Sequence, residues 1–233
     1  MEFSYSPHIN RGWELFKKHW GYVLGVTILY LIIGNAFSLL SIVAQSNSSE
    51  PSGLSSSLDV VSNLWAIFLA IGITRLYFAL FDKDKEDFAL LFSGLDIYLR
   101  YLGASILIGL IVVGGLILFI IPGIYFALKY QFAFYLIIDK NMRVRDSMRL
   151  SAKMTKGVKM KLLGFSFVIG LINLVGLLLF GVGLLVTIPV SGLANLSLYR
   201  HFEKNMKVSA SVPTTSGVVK GKKRLGKSTT PKK

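Results

Sequence analysis

Residues 162–199 read LLGFSFVIGLINLVGLLLFGVGLLVTIPVSGLANLSLY, 38 consecutive positions without a charged side chain. A helix needs about 20 residues to cross the roughly 30 Å hydrocarbon core of a bilayer, so this run is too long for a single span. A water-soluble helix carries a polar stripe along one side, and this run has none. Gly181-Val182-Gly183 supplies the turn residues that divide it, which predicts spans at Leu162–Phe180 and Leu184–Tyr199.

The same reading extends outward. Residues 19–49 and 101–128 form two more uncharged runs of 31 and 28 positions. They predict spans at Gly21–Gln45 and Tyr101–Ile121. Val60–Phe81 adds another, and one more runs from the Pro122-Gly123 turn to Ile138. The expected fold is therefore all-α: a polytopic membrane bundle of six spans in three hairpins over residues 1–204. Composition agrees, since 53% of the chain is hydrophobic and only 16% charged, against roughly 25% charged in soluble domains. The chain has no cysteine, which excludes disulfide and zinc–thiolate chemistry.

Loop charge sets the expected orientation. The segments at 46–59, Pro122 and Gly181 carry no Lys or Arg, whereas 139–161 alone carries eight. Of 26 basic residues only Arg75 and Lys129 fall inside predicted spans, and the other 24 lie on one side. The positive-inside rule makes that side cytoplasmic, with both ends of the chain there and the plasma membrane as the location. The net charge of +14 is read as topology, not as a sign of a nucleic-acid partner. From Asn205 onward the chain is rich in Lys, Ser, Thr and Gly, and a disordered tail over 205–233 is expected.

A repeat is also legible. Residues 102–119 align without gaps to 163–180 with 11 of 18 positions identical, including Gly103/Gly164, Ser105/Ser166, Gly109/Gly170 and Gly115/Gly176. In each copy Ser-x-x-x-Gly puts two small residues one turn apart, where close helix approach is expected. An amphipathic stretch precedes each hairpin: Ile9, Trp13, Phe16 and Trp20; then Phe88, Leu91, Phe92 and Leu95; then Val144, Met148 and Ser151. All three read as helices lying in the cytoplasmic interface.

The stretches IPGIYFALKYQFAFYLIIDK (121–140), DSMRLSAKMTKGVKMKLLGFSFVIG (146–170) and LFGVGLLVTIPVSGLANLSLYR (179–200) carry a pattern of fixed residues. It comprises Pro122-Gly123, Tyr130, Asp139, Ser151, Gly157, Ser166-Phe167, Gly181-x-Gly183, Pro189 and Tyr199. FALLFSGLDIYLRY (88–101) extends it upstream. This pattern resembles uncharacterised bacterial multi-span membrane proteins of the YciC type and the membrane domain attached to some glycerophosphodiester phosphodiesterases. The resemblance implies a helical membrane domain and carries over no catalytic site, because no phosphodiesterase domain accompanies it here.

The sequence offers little reactive chemistry. Gly221–Ser228, GKKRLGKS, satisfies the P-loop pattern, but no strand precedes it and no helix has room to follow. His8, His19 and His201 stand singly near predicted boundaries, where solvation is expected. The Asp82–Asp87 run interleaves acids with Lys83 and Lys85 and reads as a self-neutralised turn. No nucleophile–base set, metal or cofactor site emerges, so an enzyme is not expected. Intramembrane polar residues are candidates by default. Arg75 is expected to snorkel to the inner headgroups, and Lys129 to do the same or to meet Asn35, Asn173, backbone carbonyls or lipid phosphate. The spacing Arg145, Arg149, Lys153, Lys156 keeps four cations near one helical face and points to anionic lipid. Membrane lipids, a membrane protein or a second copy are the expected partners. The favoured function is non-enzymatic organisation or binding of lipids or a partner protein. A small transporter or channel subunit is the alternative.

Overall fold

The structure, a computed structural model, describes residues 4–46, 53–179 and 181–206. Its elements are α1 (Ser6–Lys18), α2 (Trp20–Ser46), α3 (Gly53–Lys83), a 3₁₀ turn (Phe88–Phe92), α4 (Tyr98–Leu118) and α5 (Ile120–Tyr130). After these come α6 (Ala133–Lys140), α7 (Val144–Met154), α8 (Lys159–Leu178) and α9 (Leu184–Met206). No strand occurs among the described residues. The Walker-like motif and the predicted tail beyond Met206 lie outside them. Asn205, where the tail was expected to begin, is still in α9.

Five segments are long and apolar enough to cross a membrane: Trp20–Val43, Ser57–Lys83, Tyr98–Leu118, Ile120–Lys140 and Lys159–Leu178. The sixth predicted span is present as α9 but is not among the five. Its composition has a physical reason. Val190, Leu193, Ala194, Leu196, Leu198, Tyr199 and Phe202 are all buried, so α9 is surrounded by other helices and carries Asn195 and Arg200 without presenting them to lipid. The outward faces are apolar instead, as at Ile32, Ile106, Leu110 and Phe167.

The fourth predicted span is not one unbroken helix. It divides at Gln131-Phe132 into α5 and α6. A break costs main-chain hydrogen bonds, and Ser151 of α7 replaces two of them. Its hydroxyl donates to the Lys129 carbonyl at 2.9 Å and accepts from the Phe132 N–H at 3.2 Å. Buried backbone groups require such partners.

The aligned repeat is structural, but its close contacts lie elsewhere than expected. Cβ atoms added at Gly109 and Gly170, the glycines of the two Ser-x-x-x-Gly steps, would meet nothing within 4 Å. A Cβ on Gly115 would sit 3.0 Å from the Gly123 Cα, and one on Gly176 would sit 2.5 Å from Thr187 Oγ1. Each hairpin is therefore pinched at the same aligned glycine, next to its turn. Those turns, 116–121 and 177–183, contain no polar side chain, and Ile117 and Ile121 are more than 80% exposed. Main-chain bonds at these turns include Phe119 N–H to Gly115 O at 2.9 Å and Gly181 N–H to Leu177 O at 2.9 Å.

The three pre-hairpin elements do not lie free at a surface. Each covers a different hairpin from its own. The Phe88–Leu95 stretch is a 3₁₀ turn, not an amphipathic α-helix, and it folds back so tightly that a Cβ on Gly72 would stand 1.8 Å from the Leu91 carbonyl oxygen. Asp87 caps that turn by accepting from the Ala89 N–H. Helix α7 covers α4, α5 and α6. Helix α1 covers α9, where Gly12 lies against Val190 and Ala194, while Tyr5 reaches Gly164 and Phe165 on α8. The cover thus runs in a closed ring around the three helix pairs α2–α3, α4–α5 and α8–α9.

Candidate functional site

The last turns of α3, α6 and α9 converge on Arg200. Its guanidinium donates to Asp139 at 2.9 and 3.0 Å, to Asp82 at 3.1 Å through Nε, and also to Glu203. Lys140 adds bonds to Asp139 at 3.3 Å and Glu203 at 2.6 Å, and the Tyr199 hydroxyl donates to Asp139 at 2.8 Å. Side-chain exposure is only 13–15% for Arg200, Asp139 and Glu203. Three carboxylates face two cations in a partly dry space, and each carboxylate has a cationic partner although the cluster as a whole is left with one excess negative charge. The sequence gives each residue singly. Only the parallel arrangement of the three helices brings them together.

The singled-out polar residues fall in different places. Arg75 does not snorkel. It donates to both oxygens of Asp96 at 2.8 Å, and its guanidinium holds the Asp96 carboxyl below the ordinary carboxylate range. Asp96 lies in the linker after the 3₁₀ turn, 21 residues away, which is why span-by-span reading missed it. Asn173 accepts from Ser191 at 3.3 Å within the α8–α9 pair, and Asn35 donates to its own helix at Leu31 O. No hydrogen bond joins either to Lys129 among the described residues.

The histidines are not solvated either. His8 is buried, 3.0 Å from the Ser197 hydroxyl and with its ring 5.2 Å from that of His201. Burial first, and His201 second, lower its pKa from the ordinary 6.5. His19 is held between Asp84 at 2.7 Å and Glu86 at 2.5 Å. Asp84 also pairs with Lys18, and these hydrogen bonds keep its carboxyl below the usual range. The acidic turn is neutralised, but by residues 65–67 positions away in addition to its own Lys85. No group of three or more His, Asp or Glu among the described residues suits a metal ion.

Helix α7 carries the most asymmetric surface. Ser147, Met148, Ser151 and Met154 are buried, whereas Arg145, Arg149 and Lys153 are exposed; Lys156, expected on the same helical face, is exposed in the turn after α7, which ends at Met154. Its ends favour helix: Arg143 is extended before it, Asp146 sits in the first turn and Lys153 in the last, matching the macrodipole. Lys129 of α5 approaches from beneath, with its ammonium 5.1 Å from the Tyr130 ring and 5.5 Å from that of Phe126.

Two cavities carry charge. The larger, about 590 Å³, is lined by Arg11, Lys18 and Lys83 against Glu14, Asp82 and Asp84, three cations facing three anions. The smaller, about 300 Å³, is lined by Lys129, Arg145 and Arg149 with Tyr130, Leu107, Met148 and Ala152. It has no acidic lining residue. Lys129, Arg145 and Arg149 therefore share one space, which the sequence placed on separate elements. Lys153 and Lys156 stay outside it.

The chain matches no known protein family, no curated protein and no solved structure.

Proposed function

We propose that this chain is a non-enzymatic multi-pass protein of the plasma membrane that engages anionic lipid through the basic face of α7. The observation that carries this reading is the contrast within one helix. The inner face of α7 is locked into the bundle, while Arg145, Arg149, Lys153 and Lys156 are exposed and make no ion pair with any described residue. Cations on other helices, such as Arg200 and His19, are instead held by carboxylates. Three unmatched cations on a fixed helix, with Lys156 in the turn just past its end, suit a negatively charged headgroup layer, at about 1 kcal/mol per residue. The topology that goes with it has six spans in three in–out–in hairpins, with α9 as the sheltered sixth and the basic loops in the cytoplasm. The resemblance to the YciC type of membrane protein is compatible with such a module.

The test is retention of anionic lipid by the purified protein and by a variant with Arg145, Arg149, Lys153 and Lys156 all changed to Gln. A loss of up to about 4 kcal/mol is expected at low salt, shrinking as salt screens it. Orientation is checked first: a cysteine at Ser49 labels from outside intact cells and one at Lys156 does not. Equal lipid retention by both proteins, with orientation intact, would falsify the proposal.

The transporter alternative calls for polar groups lining a path through the spans. Lys129 instead faces two aromatic rings and a cavity it shares with Arg145 and Arg149, which opens beside the outward apolar face of α4 and not into a path between the spans. That favours the lipid reading.

A further inference from the structure

We infer that the 300 Å³ cavity between α4, α5 and α7 is a discrete site for the phosphate headgroup of one anionic phospholipid. The inference rests on the lipid reading of α7 and sharpens it from a charged surface to a bounded site.

Three observations converge. Lys129 on α5 and Arg145 and Arg149 on α7 come from two separate elements, yet they line one cavity with no carboxylate among its walls. The larger cavity, by contrast, balances Arg11, Lys18 and Lys83 with Glu14, Asp82 and Asp84. Like charges brought together in this way repel, and a bound anion relieves the repulsion. Arginine's planar fork also suits phosphate oxygens in pairs, while lysine supplies a point charge.

The remaining walls select the source of the phosphate. Leu107, Met148 and Ala152 are apolar, and Leu107 is 39% exposed and continues into exposed Ile106 and Leu110 on α4. That apolar strip leads away from the cations along the lipid-facing side. A headgroup in the cavity would leave its acyl chains on the strip. Free phosphate would gain nothing from it.

The floor of the site is rigid. The Lys129 carbonyl accepts from Ser151 at 2.9 Å, and Met148 and Ser151 are buried on the face of α7 that holds Arg145 and Arg149 in place. The cations are therefore displayed from a fixed frame, which lowers the ordering cost of binding.

The decisive variant is Ala152→Phe, which fills the cavity and leaves every charge in place. The full-length protein is placed in phosphatidylcholine nanodiscs doped with phosphatidic acid, and bound lipid is counted by native mass spectrometry. Unmodified protein is expected to hold one phosphatidic acid in preference to phosphatidylcholine. Ala152→Phe and Lys129→Gln should each weaken that retention by about tenfold or more, whereas Lys153→Gln with Lys156→Gln should change it less than about threefold. Ala152→Leu serves as the milder block if the Phe variant does not fold. If unmodified protein shows no preference for phosphatidic acid, the lipid reading of α7 itself fails. If the preference survives Ala152→Phe but falls with the Lys153 and Lys156 changes, lipid binding is diffuse and the discrete site is overturned. Excess inorganic phosphate that displaces the lipid would also overturn it, by showing that the cavity takes free phosphate.

Discussion

One hydroxyl closes the joint between α5 and α6. Ser151→Ala would strand the buried Phe132 N–H and leave the Lys129 carbonyl with only the longer 3.4 Å bond from Thr155. The expected loss is about 1–3 kcal/mol, measured as a lower unfolding temperature in detergent. Because Lys129 sits at that joint, lipid retention should fall with it. His8 makes a second prediction at this scale. Its folded pKa lies below 6.5, so the unfolded chain takes up a proton first and the folded state loses stability as pH falls below that value. Above 6.5 both states are neutral and stability is flat. The protection of α1 amides, measured as exchange relative to the unfolded chain at the same pH, should therefore fall between about pH 7 and about pH 5, and His8→Gln should abolish most of the change. Unchanged protection in the native protein would mean that His8 protonates without loosening α1.

Paired glycines separate a packing role from a mere sequence match. Gly115 and Gly176 are blocked by the facing helix, while the Gly109 and Gly170 positions are open. Alanine at 109 or 170 should be neutral or stabilising by about 0.5–1 kcal/mol, since helical glycine is entropically costly. Alanine at 115 or 176 should cost about 1–3 kcal/mol through overpacking. Thermal unfolding of the four single variants checks this, and equal effects at all four positions would remove the distinction. The repeat itself was legible because glycine identities recur at fixed spacing. Which glycine mattered was not, because closeness depends on the facing helix and not on the run. The spans were legible because the bilayer imposes a length and a polarity that any sequence must display. Arg75–Asp96 and the break at Gln131 were not, since both depend on partners, Asp96 and Ser151, that no local pattern links to them. The same holds for the site: the cationic stripe of α7 is periodic and readable, whereas its meeting with Lys129 is a product of packing.

The whole molecule is tied at one end. Asp82, Asp139, Lys140, Arg200 and Glu203 join α3, α6 and α9 at their final turns. Arg200→Met would leave three carboxylates around Lys140 alone, and a loss of about 3–5 kcal/mol is expected because an uncompensated buried charge is costly. Asp82→Asn, at the more exposed corner of the cluster, should cost far less. Detergent stability of the two variants tests the ranking, and an Arg200 variant as stable as the Asp82 variant would mean that water reaches the cluster freely. At the opposite end the apolar turns 116–121 and 177–183 have a different consequence. Helices α4 and α8, with 21 and 20 residues, are about 31 and 30 Å long, close to the thickness of the hydrocarbon core. A hairpin tip with a lysine or aspartate would have to stay at the far interface, and any change in bilayer thickness would then strain the protein or the lipid. These tips have no such anchor. On the proposed topology a thicker bilayer can submerge them without burying a charged side chain, so hydrophobic mismatch is relieved at the tips while the cationic side keeps its depth.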